Sequence, residues 1–216
     1  MILPFRTDAD VDAAVAAVDA QLASGRLIAY PTETVYGLGS FASAVALDRL
    51  AHLKGRPAGK PFLLLVDSVA MLQAVGLVLN AAARVLAREF WPGPLTLVLR
   101  GGEGKLPDRL RGPEGGIAVR WTSHRGVARL VHQLGQPLTS TSANRPGEPA
   151  APGAEAIAQS FPDAIAAGDL LVLDGGVLGN VPPSTLVDCT GPLPRLVREG
   201  AIPRHELRRR AGSSAP

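Results

Sequence analysis

Apolar residues recur at Val11, Ala14, Val15, Val18 and Leu22, the spacing of one helix face, with Thr7 or Asp8 placed to cap the start and Gly25 to stop the end. The pattern predicts a helix over about residues 8–24. Leu27 to Tyr30 follows as a short apolar run ended by Pro31, a strand that delivers the chain into the polar segment Pro31 to Gly39, PTETVYGLG. Ser43 can cap a helix through Leu47, Leu50 and Leu53 that ends near Gly55 and leaves Lys54, Arg56 and Lys60 on the following turn. Phe62 to Val66 reads as a buried strand.

Further helices are predicted at about 68–75, 80–90, 123–134 (capped by Ser123), 153–160 and 203–210, and strands at 95–99, 117–121, 138–142, 170–174, 185–189 and 195–198. Helices and strands interleave without internal repeats and without a Gly/Ser-rich linker, which predicts a single α/β domain. Gly101 to Gly116, rich in Gly, Pro and charge, reads as a mobile surface loop, and the tail from Gly212 reads as frayed.

The chain has 216 residues, of which 46% are hydrophobic and 19% charged, enough apolar material for a full core, so disorder throughout is excluded. Its single cysteine cannot form an internal disulfide, and charges from Arg6 to Asp12 interrupt any secretory leader, so a reducing cytoplasm is expected. The longest uncharged run, Ser68 to Ala83, contains Gln73 and Asn80 and falls short of the roughly 20 apolar residues a bilayer needs, so no membrane partner is expected. A net charge of +3 permits anionic partners without specifying one.

Local motifs exclude several chemistries. Gly55 to Pro61 lacks the spacing of a Walker loop. Gly37 to Ala42 fits G-x-G-x-x-A, but no acidic residue near 57–62 stands ready for a ribose. H-E-x-x-H, C-x-x-C and G-x-S-x-G are absent, the four histidines fall on predicted helix faces, and Cys189 reads as a small core residue. What remains is a set of polar strand ends. Lys54, Arg56 and Lys60 on one Gly/Pro turn either cradle phosphates or form a solvated loop. Thr139 to Asn144 crowds hydroxyls and an amide, Pro183-Ser184-Thr185 and Arg198-Glu199-Gly200 repeat the theme, and Arg120 ends a strand, a pattern that suits one convergent site for an anionic ligand.

PTETVYGLG at Pro31 to Gly39, Lys54-Gly55-Arg56-Pro57, STSAN at Ser140 to Asn144, PSTLVD at Pro183 to Asp188 and REGAI at Arg198 to Ile202 stand in the order and spacing of the YrdC-like family, which this chain resembles over about residues 8–203. The resemblance implies a twisted mixed α/β sheet flanked by helices around a positively charged cavity. It also implies synthesis of threonylcarbamoyl-AMP and pyrophosphate from L-threonine, bicarbonate and ATP with Mg²⁺, without a metal site in the protein. Residues 8–203 would form the catalytic domain and 204–216 a basic C-terminal helix and tail. Lys54 and Arg56 would be catalytic; Arg56, Lys60, Ser142, Asn144 and Arg198 would bind ATP; Thr34, Arg120, Ser140 and Ser184 would bind threonine. The product would serve N6-threonylcarbamoylation of adenosine 37 in tRNA through a TsaD-type transferase complex, with direct tRNA binding a further expectation.

Two departures accompany the resemblance. Longer members carry a His just after the segment matching Lys60-Pro61, where this chain has Leu63-Leu64-Leu65, and they carry a second domain, so the chain is expected to be the short, single-domain type. Two rival functions share the fold expectation: a carbamoyl-adenylate-forming relative, and a non-catalytic RNA-binding module suggested by Arg204, Arg208, Arg209 and Arg210. Those arginines equally fit the solvated face of an amphipathic helix.

Overall fold

In the computed structural model, which describes residues 1–55, 60–212 and 215–216, strands and helices alternate along the chain. They run β1 (Ile2–Pro4), α1 (Asp8–Ala23), β2 (Leu27–Tyr30), β3 (Gly37–Gly39), α2 (Ala44–Lys54), β4 (Leu63–Val66), α3 (Val69–Ala74), β5 (Leu77–Val78), α4 (Ala81–Phe90) and β6 (Leu95–Gly101). A 3-10 turn (Asp108–Leu110) leads to β7 (Ile117–Trp121), α5 (Arg125–Leu134), β8 (Leu138–Ser142), α6 (Ala154–Ser160), α7 (Pro162–Ala166), β9 (Leu170–Asp174), β10 (Thr185–Asp188), β11 (Arg195–Arg198) and α8 (Arg204–Ala211).

Local chemistry explains the boundaries. Thr7 and Asp10 form a reciprocal capping box at the start of α1. Ser43, Ser68 and Asn80 cap α2, α3 and α4 with side-chain oxygens, and α2 ends on Gly55 in the left-handed region. α5 starts one residue later than its sequence suggests: the Nδ1 of His124, not Ser123, accepts the Val127 amide at 3.3 Å, and the imidazole lies stacked near Phe5. Burial therefore pushes the His124 pKa down, against the opposing pull of Glu33.

The strands join in one mixed sheet ordered β1-β9-β2-β3-β8-β4-β7-β6-β10-β11, with β5 paired to β6. Alternate residues of a strand face opposite sides, and two cores result. Leu27 and Ala29 of β2, Leu64 and Val66 of β4, and Leu170 and Val172 of β9 pack with α2, α3, α4, α6 and α8. Ile28 and Tyr30, Leu65, and Leu171 and Leu173 pack with α1 and α5. Each fully buried Leu or Ile contributes about 1.5–3 kcal/mol relative to exposure, so this alternation fixes register strongly.

Four short elements escape the sequence pattern. β1 contains Pro4 and lies at the sheet edge, where a missing donor is tolerated, and it extends the sheet ahead of residue 8. β3 is Gly-Leu-Gly, β5 has two residues, and α7 is a five-residue turn opened by Pro162. The 101–116 segment is anchored, contrary to its reading as a mobile surface loop: Leu106 and Leu110 are buried, and Arg111 donates to the carbonyls of Gly101 and Gly115 at 3.0 and 3.1 Å.

α8 buries Leu207 and Ala211 and leaves Arg208, Arg209 and Arg210 exposed. Arg209 pairs with Glu206 and Arg210 lies 4.3 Å over the Phe90 ring, the arrangement of an amphipathic helix docked on α4. Of the expected frayed tail, residues 213 and 214 lie outside the described residues. Among the described residues, no helix is long and apolar enough to cross a membrane.

Candidate active site

β2 ends at Tyr30, ahead of Pro31, and the next residues fold into a hydroxyl turn. The Thr32 hydroxyl accepts the amides of Thr34 and Val35 and donates to the Val35 carbonyl at 2.7 Å. That proton being committed, the Thr34 hydroxyl donates to Thr32 at 3.0 Å and accepts Nη1 of Arg120 at 3.1 Å. Tyr36 fixes the exit of the turn by donating to the Gly176 carbonyl at 2.8 Å and accepting the Gly175 amide at 3.0 Å. In β3 glycine is required at 39: a Cβ there would stand 2.1 Å from the Thr139 carbonyl oxygen and 3.0 Å from the Tyr30 ring.

Between the two threonines, Glu33 accepts Nη2 of Arg120 at 2.6 Å, the Thr122 hydroxyl at 2.5 Å and the Ser123 amide at 3.2 Å. Burial pushes its pKa up, but the Arg120 guanidinium and these hydrogen bonds outweigh that, and the carboxyl titrates below its ordinary range. A depressed folded-state pKa gives stability that is present above the unfolded value and is lost as pH falls through the folded one. Thermal unfolding of the wild type should therefore fall more steeply below about pH 4 than that of Glu33→Gln; parallel curves for the two proteins would contradict the assignment.

Arg120 is 4% exposed, and its Nε, also buried, has no hydrogen-bond partner among the described residues. Across the sheet, the Ser184 and Thr96 hydroxyls are 2.8 Å apart, and Arg198 donates to the Ser184 carbonyl at 2.8 Å. Thr185 pins the segment after β11: its hydroxyl donates to the Ile202 carbonyl and accepts the Gly200 and Ile202 amides. Burial and the neighbouring Arg120 cation both push the Arg198 pKa down. Two guanidinium groups brought together in a partly desolvated site favour an anion between them.

These elements enclose a cavity of about 810 Å³. Thr34, Lys60, Arg120, Ser140, Ser142, Asn144, Ser184 and Arg198, eight of the ten residues singled out from the sequence, line it together. Arg56 lies outside the described residues. Lys54 does not line the cavity: it is the last residue of α2, not a member of the turn after it, and it is 6% exposed. Its amine donates to the carbonyls of Ser142 and Asn144 at 2.8 and 2.5 Å and to the Asn144 side-chain oxygen, which also receives the Ser142 hydroxyl at 2.6 Å. Lys54 thus holds the end of β8 in place from below, with its charge where a helix C-terminus favours a cation.

Sequence reasoning did not single out Glu33, Thr96 or Thr122, nor the Arg195 that bridges Asp188 at 3.0 Å and Glu114 at 3.6 Å on the cavity wall. Glu33 stood inside the PTET run, but only the fold shows that it faces Arg120. Cys189 is buried as expected, and its thiol is pushed up to about 12 by burial and by Asp188.

The model of the Sua5/YciO/YrdC family, described as telomere recombination, matches residues 20–200. A threonylcarbamoyl-AMP synthase of Pyrococcus abyssi is 36% identical over 87% of this chain and 54% of its own, and one of Bacillus subtilis is 32% identical over 91% and 56%. The chain thus spans about half the length of these two relatives. A threonylcarbamoyl-AMP synthase of Thiobacillus denitrificans is 41% identical over 78% of this chain and 87% of its own. Among solved structures, P. abyssi Sua5 complexed with L-threonine superposes with a TM-score of 0.86 at 32% identity, covering 99% of this chain and 61% of that one. Escherichia coli YciO superposes with a TM-score of 0.78 at 27% identity, covering 93% and 94%. With four of the family's five motifs contributing to one cavity and its model matching most of the length, the chain belongs to the Sua5/YciO/YrdC family.

Proposed function

We propose that this protein is an L-threonylcarbamoyl-AMP synthase, which converts L-threonine, bicarbonate and ATP into threonylcarbamoyl-AMP, pyrophosphate and water. The observation that carries the reading is the convergence of hydroxyls and cations from six segments, at Thr34, Lys60, Arg120, Ser140 and Ser142, Ser184, and Arg198, on one cavity large enough for a nucleotide and an amino acid together. The naming of the relatives, and L-threonine in the P. abyssi complex, support it.

The threonine carboxylate would meet Arg120, whose fork is held by Glu33 and Thr34, with the hydroxyls of Ser140 and Ser184 beside it. The threonine amine attacks the bicarbonate carbon, water leaves, and the resulting carbamate is unstable in water, so the enclosed cavity matters as much as any single group. A carbamate oxygen then attacks the α-phosphorus of ATP, and the P–O bond to pyrophosphate breaks. This step needs proximity and charge stabilisation rather than a covalent nucleophile. Lys60 and Arg198 would offset the charge building on the phosphates, the Asn144 amide would donate to them with Ser142 orienting it, and Lys54 would hold those two in position. Arg56 is assigned to the same role from the sequence alone.

Mg²⁺ would enter as part of the substrate, on the phosphates of ATP, and would shield their charge. Among the described residues no group of three or more His, Cys, Asp and Glu is placed to hold a metal ion. The product, a mixed anhydride, suits direct delivery to a TsaD-type transferase acting on adenosine 37 of tRNA.

Pyrophosphate release by the purified protein tests the reading. Release should require L-threonine and bicarbonate together and should fall sharply when serine replaces threonine. Release from ATP alone, or none under any condition from a folded protein, would overturn it.

A further inference from the structure

A second cavity, of about 510 Å³, shares no residue with the first. It is a groove between α3, which contributes Val69 and Gln73, and α4, which contributes Arg84, Ala87 and Arg88; its floor includes Leu77 and Val78 of β5, and Trp91 and Trp121 close it. The floor is apolar, and it is open: Val78 is 58% exposed and Val69 36%. Surface valines on adjoining elements, gathered around two partly buried tryptophans, make a contiguous apolar patch rather than scattered single residues.

Charge defines the rim. Among the described residues no carboxylate lines the groove. The Arg84 guanidinium has no hydrogen-bond or ion-pair partner among the described residues, and Arg88 has only its chain neighbour Glu89, at 3.4 Å. Arg84 and Arg88 stand one helical turn apart on α4, with their Cβ atoms about 6 Å apart, so they present two cations along one edge. Carboxylates on successive turns of another helix have the same spacing. An aliphatic trough with a two-cation rail on one side is therefore the complement of a helix with an apolar stripe and acidic residues flanking it.

We propose that the groove between α3 and α4 binds an acidic amphipathic helix of a partner protein, with Arg84 and Arg88 pairing its carboxylates and its apolar side chains seated on Val69, Val78 and Trp121. Nucleic acid fits less well: two cations supply few phosphate contacts, and the Trp91 indole is held in the wall by its 2.7 Å bond to the Leu95 carbonyl instead of being free to stack. The groove is also adjacent to the cavity in a specific way. Arg120 and Trp121 are successive residues of β7 and face opposite sides, one into each pocket. This inference concerns binding alone and does not rest on the proposed reaction.

The chain's only two tryptophans both line the groove, so intrinsic fluorescence reports on it directly. The probe is a synthetic helical peptide of about four turns with leucines at i, i+4 and i+7 and glutamates on the flanking positions. Its counterpart carries lysine at every glutamate. The acidic peptide should produce a saturable shift in tryptophan emission, matched by the anisotropy of the labelled peptide. The double variant Arg84→Glu, Arg88→Glu should weaken binding at least tenfold while circular dichroism and pyrophosphate release stay unchanged. No saturable response to the acidic peptide, an equal response to the lysine peptide, or binding unaffected by the double variant would overturn the proposal. So would a saturable response to a single-stranded RNA oligonucleotide that the acidic peptide does not compete away.

Discussion

Arg120→Ala should abolish threonine-dependent pyrophosphate release, lowering it by about 10²–10³-fold or more, because the proposed threonine site relies on its guanidinium to receive the substrate carboxylate. The same change should also destabilise the protein, and the two effects have different causes. Removing the cation leaves the Glu33 carboxylate in a site where its side chain is 17% exposed, with only Thr122 and Ser123 to satisfy it. Breaking a buried ion pair from one side costs about 3–5 kcal/mol. The double variant Glu33→Gln, Arg120→Gln separates the effects: it removes the unpaired charge, so its unfolding midpoint should recover much of the loss while turnover stays absent. Near-wild-type turnover in folded Arg120→Ala would remove Arg120 from the threonine site. Recovery of turnover in the double variant would show that stability alone had been lost.

Gly39→Val should prevent folding, and Gly39→Ala should cost upwards of about 4 kcal/mol, among the largest effects available to a single substitution. The reason is the backbone itself. A Cβ at 39 would lie 2.1 Å from the Thr139 carbonyl, a distance no rotamer change relieves, so β3 would have to separate from β8 or Tyr30 from its seat. Gly179 is the control, since a Cβ there meets nothing within 4 Å, and Gly179→Ala should stay within about 0.5 kcal/mol of wild type. Urea unfolding of the three proteins checks this. A Gly39→Ala midpoint close to that of Gly179→Ala would mean that β3 can move away from β8 cheaply.

The longer elements were legible because their apolar spacing is strong: α1, α4, α5 and strands β2, β7, β8 and β9 follow the pattern closely. β3 was not, since Gly37 and Gly39 are ordinarily loop residues, and their value lies in a close approach to Tyr30 and β8 that no local signal reveals. The site divides in the same way. Side chains on alternate strand positions, such as Ser140 and Ser142, could be placed on one face from the sequence. Lys54 could not, because one residue of helix boundary decides whether its amine points to the cavity or to the end of β8. Glu33 was invisible as a functional group because its meaning depends on Arg120, 87 residues away.

The order of the sheet has a consequence for how the chain is made. β1 and β2 pair with β9 and β3 pairs with β8, so the first strands synthesised wait for nearly the last ones. At translation rates of about 5–20 residues per second, the edge of β2 that faces β9 stays unpaired for on the order of ten seconds before β9 leaves the ribosome. Long-range parallel pairing is slow even after release. The yield of the chain in a cell should therefore depend on how long that edge waits for its partner, and not on the stability of the finished sheet alone.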